Sequence, residues 1–219
     1  MSKRWRIVLS LLILGLCGGA AGMARAETKV LVDFTTGREP VPKGWELSVN
    51  TGEAHMQLIQ DEGQQALQMR SDQASFGIQK QERIALQDTP WLVWQWKVTA
   101  IPPGGDFRRS ATDDQAAQLI AAFSSSHFIT YIWDSTVPKG TMDAAPAPLF
   151  KKLFALVMQS GTTGLGTWMT ERRNLVEDYK KAYGEVPEAL EGIRIQINSQ
   201  HTKSRAESYW RAIKVTAQP

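Results

Sequence analysis

One pattern constrains this chain more than any other. From Lys29 to Val215 it repeats short segments in which apolar and polar side chains alternate, each closed by Gly, Asp, Asn or Pro. Alternation with a period of two places every second side chain on the same face of a strand. The reading predicts strands at 29–34, 45–49, 55–60, 66–70, 75–80 and 83–86. It continues with 91–99, 115–123, 127–134, 153–159, 192–198 and 207–215. The stretch 137–148 reads as a loop, because its prolines lack the donors a sheet interior needs. One helix is predicted over 170–183. There Leu175, Val176, Tyr179, Ala182 and Tyr183 recur at helical spacing, with Glu171 at the start and Gly184 just past the end. Many short strands with one late helix predict a mainly β fold, a jelly-roll-type β-sandwich.

Alternation also assigns faces. Ile193, Ile195 and Ile197 point to the core, and Arg194, Gln196 and Asn198 to a polar face or solvent. Leu92, Trp94, Trp96 and Val98 share one face of the strand Trp91–Thr99, which makes Trp94 and Trp96 core residues. In the next aromatic strand Tyr131 and Trp133 share a face with His127 and Ile129, opposite Phe128, Thr130, Ile132 and Asp134. Tyr131 and Trp133 suit either use, since an indole or phenol ring fills a core or stacks on a sugar equally well.

The first residues read as an export signal. Lys3, Arg4 and Arg6 precede an uncharged run from Ile7 to Ala21, and Ala24-Arg25-Ala26 supplies the small residues of a cleavage site. The run is shorter than the roughly 20 residues of a membrane span. Cleavage is expected after Ala26, leaving residues 27–219 as a single domain in the periplasm or outside the cell, by Gram-negative-type export. Cys17 follows Leu16 rather than a small residue, so no lipid anchor is expected. The basic balance belongs largely to this segment. Without Lys3, Arg4, Arg6 and Arg25, 21 basic residues stand against 22 acidic ones, a net charge of −1. Such a balance recruits neither nucleic acid nor an anionic membrane.

Several chemistries lack their residues. Cys17 would leave with the signal, so no thiol nucleophile remains. His55, His127 and His201 stand apart with no metal-ligand spacing. Residues 160–166 are Gly-rich but lack the Lys-Ser/Thr of a phosphate loop, and no Gly-x-Ser-x-Gly elbow occurs. No cofactor or metal is expected.

What remains is aromatic and carboxylate. Stacking on Tyr131 or Trp133, with Asp134, Arg173 and Asn174 fixing hydroxyls, would hold a glycan or other small polar ligand. Asp113 and Asp114 before a strand, Trp168 at the approach to the helix and Asp178 on it complete the candidate set. Their ordinary uses are a solvated turn for Asp113-Asp114 and an ion pair from Arg173 to Asp134 or Asp113. A second reading is a carbohydrate-active enzyme that uses two of Asp113, Asp114, Asp134 and Glu171, which requires two carboxyls facing one cleft. A third is an envelope protein-interaction module, which requires a large exposed apolar patch.

Asp113-Asp114, Tyr131-Ile132-Trp133-Asp134, Ser160-Gly161, Trp168 leading to Arg173-Asn174, Asp178-Tyr179, Gly184 and Gly192-Ile193 occur in an order that resembles an uncharacterised bacterial secreted family, domain-of-unknown-function family 3047. The resemblance spans most of the chain after Ala26. It implies a secreted β-rich domain and names no substrate. In that family the strand after Gly192-Ile193 usually ends in an aspartate-rich stretch. Here it ends Asn198-Ser199-Gln200-His201-Thr202, which weakens any cation site at that position.

Overall fold

The computed structural model describes residues 28–146 and 151–218. The expected signal segment, residues 1–26, lies outside them. The described residues form thirteen strands in two stacked sheets, with one helix. The fold is mainly β, a jelly-roll-type sandwich.

The first sheet has six strands. They are β1 (Thr28–Asp33), β3 (His55–Asp61), β4 (Gln64–Asp72), β6 (Trp91–Ala100), β11 (Met169–Asn174) and β13 (Arg205–Thr216). Their order is β11-β6-β13-β4-β3, with β1 also pairing β13. The second sheet has seven strands: β2 (Glu46–Thr51), β5 (Ser75–Ala85), β7 (Ala117–Ala122), β8 (His127–Asp134), β9 (Met142–Ala145), β10 (Lys152–Ser160) and β12 (Ala189–Asn198). Their order is β2-β5-β12-β7-β8-β10-β9. All pairings are antiparallel except β8 with β10, which run parallel across the 135–151 connection.

The core is the space between the sheets. Leu92, Trp94, Trp96 and Val98 enter it from β6, Ile193, Ile195 and Ile197 from β12, and Ile129, Tyr131 and Trp133 from β8. The rings interlock. Trp96 lies edge-on to Trp94 and to Trp210, with centroids 5.5 and 5.4 Å apart, and Tyr131 tilts against Trp94 at 5.2 Å. Such aromatic pairs contribute about 0.5–1.5 kcal/mol beyond the area they bury. The indole density of β6 and β8 is therefore the content of the core.

Three local expectations change. The strands read separately at 75–80 and 83–86 are one continuous strand, β5. The loop read at 137–148 contains β9, whose Met142–Ala145 pairs with β10 as an edge strand. The helix α1 is shorter than predicted, Leu175–Tyr183. Residues 169–174 are instead the strand β11, paired antiparallel with β6. The switch falls at Asn174, whose side chain accepts hydrogen bonds from the Val176 and Glu177 amides and so caps the helix. Upstream of it the edge of β6 offers unpaired backbone groups, and Thr170 to Arg173 take them. Gly184, at φ 80°, closes the helix in the left-handed conformation a C-cap needs.

Candidate functional site

Every core-facing residue of the seven-stranded sheet has an outward-facing neighbour, and the register lines these up in rows across the strands. One row runs Gln79, Arg194, Ile120, Thr130, Ala155 from β5 through β12, β7 and β8 to β10. The next row on one side runs Gly77, Gln196, Gln118, Ile132, Val157, and on the other Gln81, Gly192, Ala122, Phe128, Leu153. Long amides stand on β5, β7 and β12, with small and apolar side chains beside them. The result is a trough of about 680 Å³ on the outer face of the sheet. Asn50, Asp113, Gln115, Asn198, Phe107 and Lys151 complete its walls.

A second hollow of about 640 Å³ lies on the six-stranded sheet, among His55, Gln57, Gln68, Arg70, Asp72, Arg205 and Glu207. Its polar groups answer one another. Arg205 pairs with Asp72 and Arg70 with Glu207, while Gln68 donates to Glu207 and accepts from Gln57. The trough is different, because several of its groups are left over.

Arg194 is the clearest case. Its Nη1 donates to Gln79 Oε1 at 3.0 Å. Its Nε and Nη2 are closed off from bulk solvent and have no acceptor among the described residues. Burial pulls the guanidinium below its ordinary value, and no opposing charge offsets that. The Thr130 hydroxyl, in the same row, is also buried without a partner among the described residues. At the end of the trough, burial pushes the Asp113 carboxyl up to about 6, against the hydrogen bond from Gln115 and the charge of His201, both of which lower it.

Asn198 holds this end together. Its Oδ1 accepts from the Gln115 amide at 2.8 Å and from Gln118 Nε2 at 2.6 Å, and its Nδ2 donates to the Asp113 carbonyl at 2.6 Å. Asn198 uses both a donor and an acceptor here, and a carboxylate has no donor. No group of three or more His, Cys, Asp or Glu side chains arranged to hold a metal occurs among the described residues.

The residues singled out from sequence scatter, and only Asp113 lines the trough. Tyr131 and Trp133 are fully buried between the sheets and present no ring face to a ligand, which corrects the stacking expectation. They point inward because alternation from Ile129 carries them there, and their polar atoms are spent inside. Tyr131 donates to Asp178 Oδ2 at 2.9 Å, and Trp133 Nε1 donates to the Gly161 carbonyl at 3.0 Å. Asp178 is buried and takes the Nε and Nη2 of Arg173 side-on. Arg173 therefore has an internal partner, and it is neither Asp134 nor Asp113. Asn174 is the helix cap.

Trp168 belongs to the other sheet. Its Nε1 donates to Asp61 at 2.7 Å, and Arg211 lies 3.9 Å over its ring. Asp114 is fully buried and accepts from the Thr202 amide and hydroxyl at 2.6 and 2.8 Å. Asp134, also fully buried, accepts from the backbone amides of Phe107, Thr136 and Val137. It thereby fixes Phe107 at the trough's end. Glu171 accepts from Gln159 at 2.6 Å. The carboxylates required by a two-carboxyl mechanism do not share a cleft, and Asp113 is the one acidic side chain in the described lining.

Arg194, Gln196, Gln118, Gln79 and Thr130 are the residues that sequence reasoning passed over. The alternation of β12 and β8 had assigned the polar face of these strands. No aromatic ring or charge pair drew attention to it.

No curated protein matches the chain. Solved structures that resemble it do so distantly. The xyloglucanase domain of NopAA, a type three effector from Sinorhizobium fredii in complex with cellobiose, has a TM-score of 0.49 at 11% identity, over 78% of this chain and 93% of that one. The endoglucanase cel12A of Rhodothermus marinus gives 0.47 at 12%, over 86% and 99%. The family 11 carbohydrate-binding module of the cellulosomal cellulase Lic26A-Cel5E from Clostridium thermocellum gives 0.45 at 10%, over 88% and 95%. At these scores they add nothing to the architecture already visible in the sheets, and they say nothing about a ligand. The family comparison is direct: over residues 43–214 the chain matches the family described as protein of unknown function (DUF3047), and it belongs to that family.

Proposed function

We propose that this protein is an exported binding domain whose site is the trough of the seven-stranded sheet and whose ligand is polyhydroxylated, a glycan. The observation that carries this is the concentration of carboxamides, Asn50, Gln79, Gln81, Gln115, Gln118, Gln196 and Asn198, beside the half-buried apolar Ile120 and Phe128. A carboxamide donates and accepts at once. Adjacent sugar hydroxyls do the same, and the C–H face of a pyranose packs on aliphatic or phenyl surface. Asp113 alone supplies no acid–base pair, so the trough favours binding over two-carboxyl hydrolysis. Among the described residues the exposed large apolar side chains, Val30, Leu47, Val49 and Val186, fall on β1, β2 and the connection after α1, which gives little support to a protein-docking patch.

Calorimetric titration of the protein lacking residues 1–26 against a panel of envelope and plant oligosaccharides tests the assignment. The described lining contains no tryptophan, so intrinsic fluorescence should stay silent while heat is released. We expect the double substitution Gln81→Ala, Gln196→Ala to weaken binding at least about tenfold, the loss of two or more hydrogen bonds. Binding that survives it, or no binding to any glycan, would refute the assignment. Export is tested separately, by sequencing the N-terminus of the protein recovered from the periplasm, with Glu27 expected first.

A further inference from the structure

The trough holds one group that a neutral sugar does not explain. Nε and Nη2 form the edge of an arginine that takes a carboxylate with two parallel hydrogen bonds. Elsewhere in this protein that edge is used in that way. Arg173 presents Nε and Nη2 to the two oxygens of Asp178, and Arg108 presents the same pair to Asp106. In Arg194 the same edge has no acceptor among the described residues, and the side chain is held from its other end by Gln79.

Among the described residues the surroundings provide no counter-ion. Glu46 stands in the same row at the sheet edge, beyond Gln79, and forms no ion pair with Arg194 among the described residues. Asp113 lies near Asn198, four residues along β12, about 13 Å away at the rise of a strand. Two further cations line the trough: Lys80, which pairs with Glu82 at 2.7 Å, and Lys151, its ammonium 5.4 Å from the Phe128 ring centre. A desolvated cation without a partner costs the apo protein free energy, which an incoming anion would recover.

We infer that Arg194 is a carboxylate-recognising residue and that the glycan is an acidic one, bearing a uronate-type carboxylate that seats on the Nε–Nη2 edge. This rests on the reading of the trough as a glycan site. The edge is below the surface, so the carboxylate reaches it as the side chains over it rotate aside. The Thr130 hydroxyl, in the same row beyond Ile120, is placed for a hydroxyl further along the same ligand.

The test uses the protein lacking residues 1–26 and a panel of oligomers of galacturonate, glucuronate and mannuronate, each as the free acid and as the methyl ester, with a sulfated oligosaccharide alongside. We expect at least one free acid to bind tenfold or more tightly than its ester. Arg194→Gln should bring the acid down to the level of the ester, the affinity for the ester falling by much less than that for the acid. Arg194→Lys should recover only part of the difference, because an ammonium keeps the charge and loses the fork. Removing an uncompensated cation should leave the Gln variant at least as stable to urea as the wild type, so a folding failure would itself count against the assignment. Acid and ester binding alike, a sulfated ligand preferred over the carboxylates, or a preference that survives Arg194→Gln overturns it. Neutral glycans binding while acids do not overturns this inference alone. No binding to any member of the neutral or acidic panels overturns the trough reading as well.

Discussion

The carboxyl of Asp113 makes the environment of the trough measurable without a ligand. Burial dominates its titration and, with help from the nearby charges of Asp114 and Asp134, pushes it up to about 6 from an ordinary value of 3.8. The Gln115 hydrogen bond and His201 pull the other way and do not prevail. The folded protein therefore holds this proton more tightly than the unfolded chain. Stability contributed by the site is intact below about pH 4 and falls as pH rises, because over that interval the native state binds the extra proton. The loss is complete above about pH 6–7. At about 1.36 kcal/mol for each pH unit, the interval corresponds to roughly 3 kcal/mol as a ceiling. Water entering a trough that opens to solvent reduces it, and about 1–2 kcal/mol is the expected size.

Asp113→Asn removes the titration and keeps the shape. Its Oδ1 still accepts from Gln115, and the backbone carbonyl that binds Asn198 is untouched. At about pH 7.5 the variant should be more stable than the wild type by about 1–2 kcal/mol, and the two should converge at about pH 4. Urea titration followed by tryptophan emission measures this, because Trp94, Trp96, Trp133 and Trp210 are fully buried and report loss of the core. For a chain of this size, 1 kcal/mol moves Tm by about 2–4 °C. A difference that is the same at both pH values would refute the reasoning, and so would a variant less stable at pH 7.5. Either result would mean that the carboxylate is solvated and that the trough floor is open water.

Three further perturbations test the scaffold. Arg173→Ala strands the buried Asp178 carboxylate and should cost about 3–5 kcal/mol; adding Asp178→Asn should return most of it, read by urea titration. Tyr131→Phe removes the phenol's hydrogen bond to Asp178 and should cost about 1 kcal/mol, with no change in glycan affinity, since its ring lies between the sheets. Gly77→Ala puts a Cβ 2.2 Å from the Ile195 carbonyl, so β5 and β12 must separate; a loss of at least about 2 kcal/mol is expected, together with weakened glycan binding because Gln79 and Arg194 are displaced.

Much of the fold was legible because a single physical rule produces it. Alternation fixed the strands and, for β6 and β12, which face is core, since a one-residue slip would expose Trp94, Trp96 and the three isoleucines together. The start of α1 was misplaced because the strand edge it replaces belongs to β6, far away in sequence. Thr170 to Arg173 have no strong preference of their own, and the pairing partner decides. The parallel β8–β10 contact was invisible for the same reason: register between distant strands is a tertiary fact.

The trough was passed over for a different reason, which follows from the geometry of a sandwich. A strand has two faces, and large aromatics mark the one whose burial stabilises the fold. The outer face of the same strands carries amides, hydroxyls and small residues that look ordinary in a sequence. In β8, Tyr131 and Trp133 draw the eye, while Thr130 and Ile132 line the trough. In β12 the isoleucines mark the core, and Arg194, Gln196 and Asn198 line the trough. The sequence signal that could have found the site was the set of residues out of phase with the aromatics, read across several strands at once. Within that set, Arg194 is the charge whose Nε and Nη2 have no acceptor among the described residues.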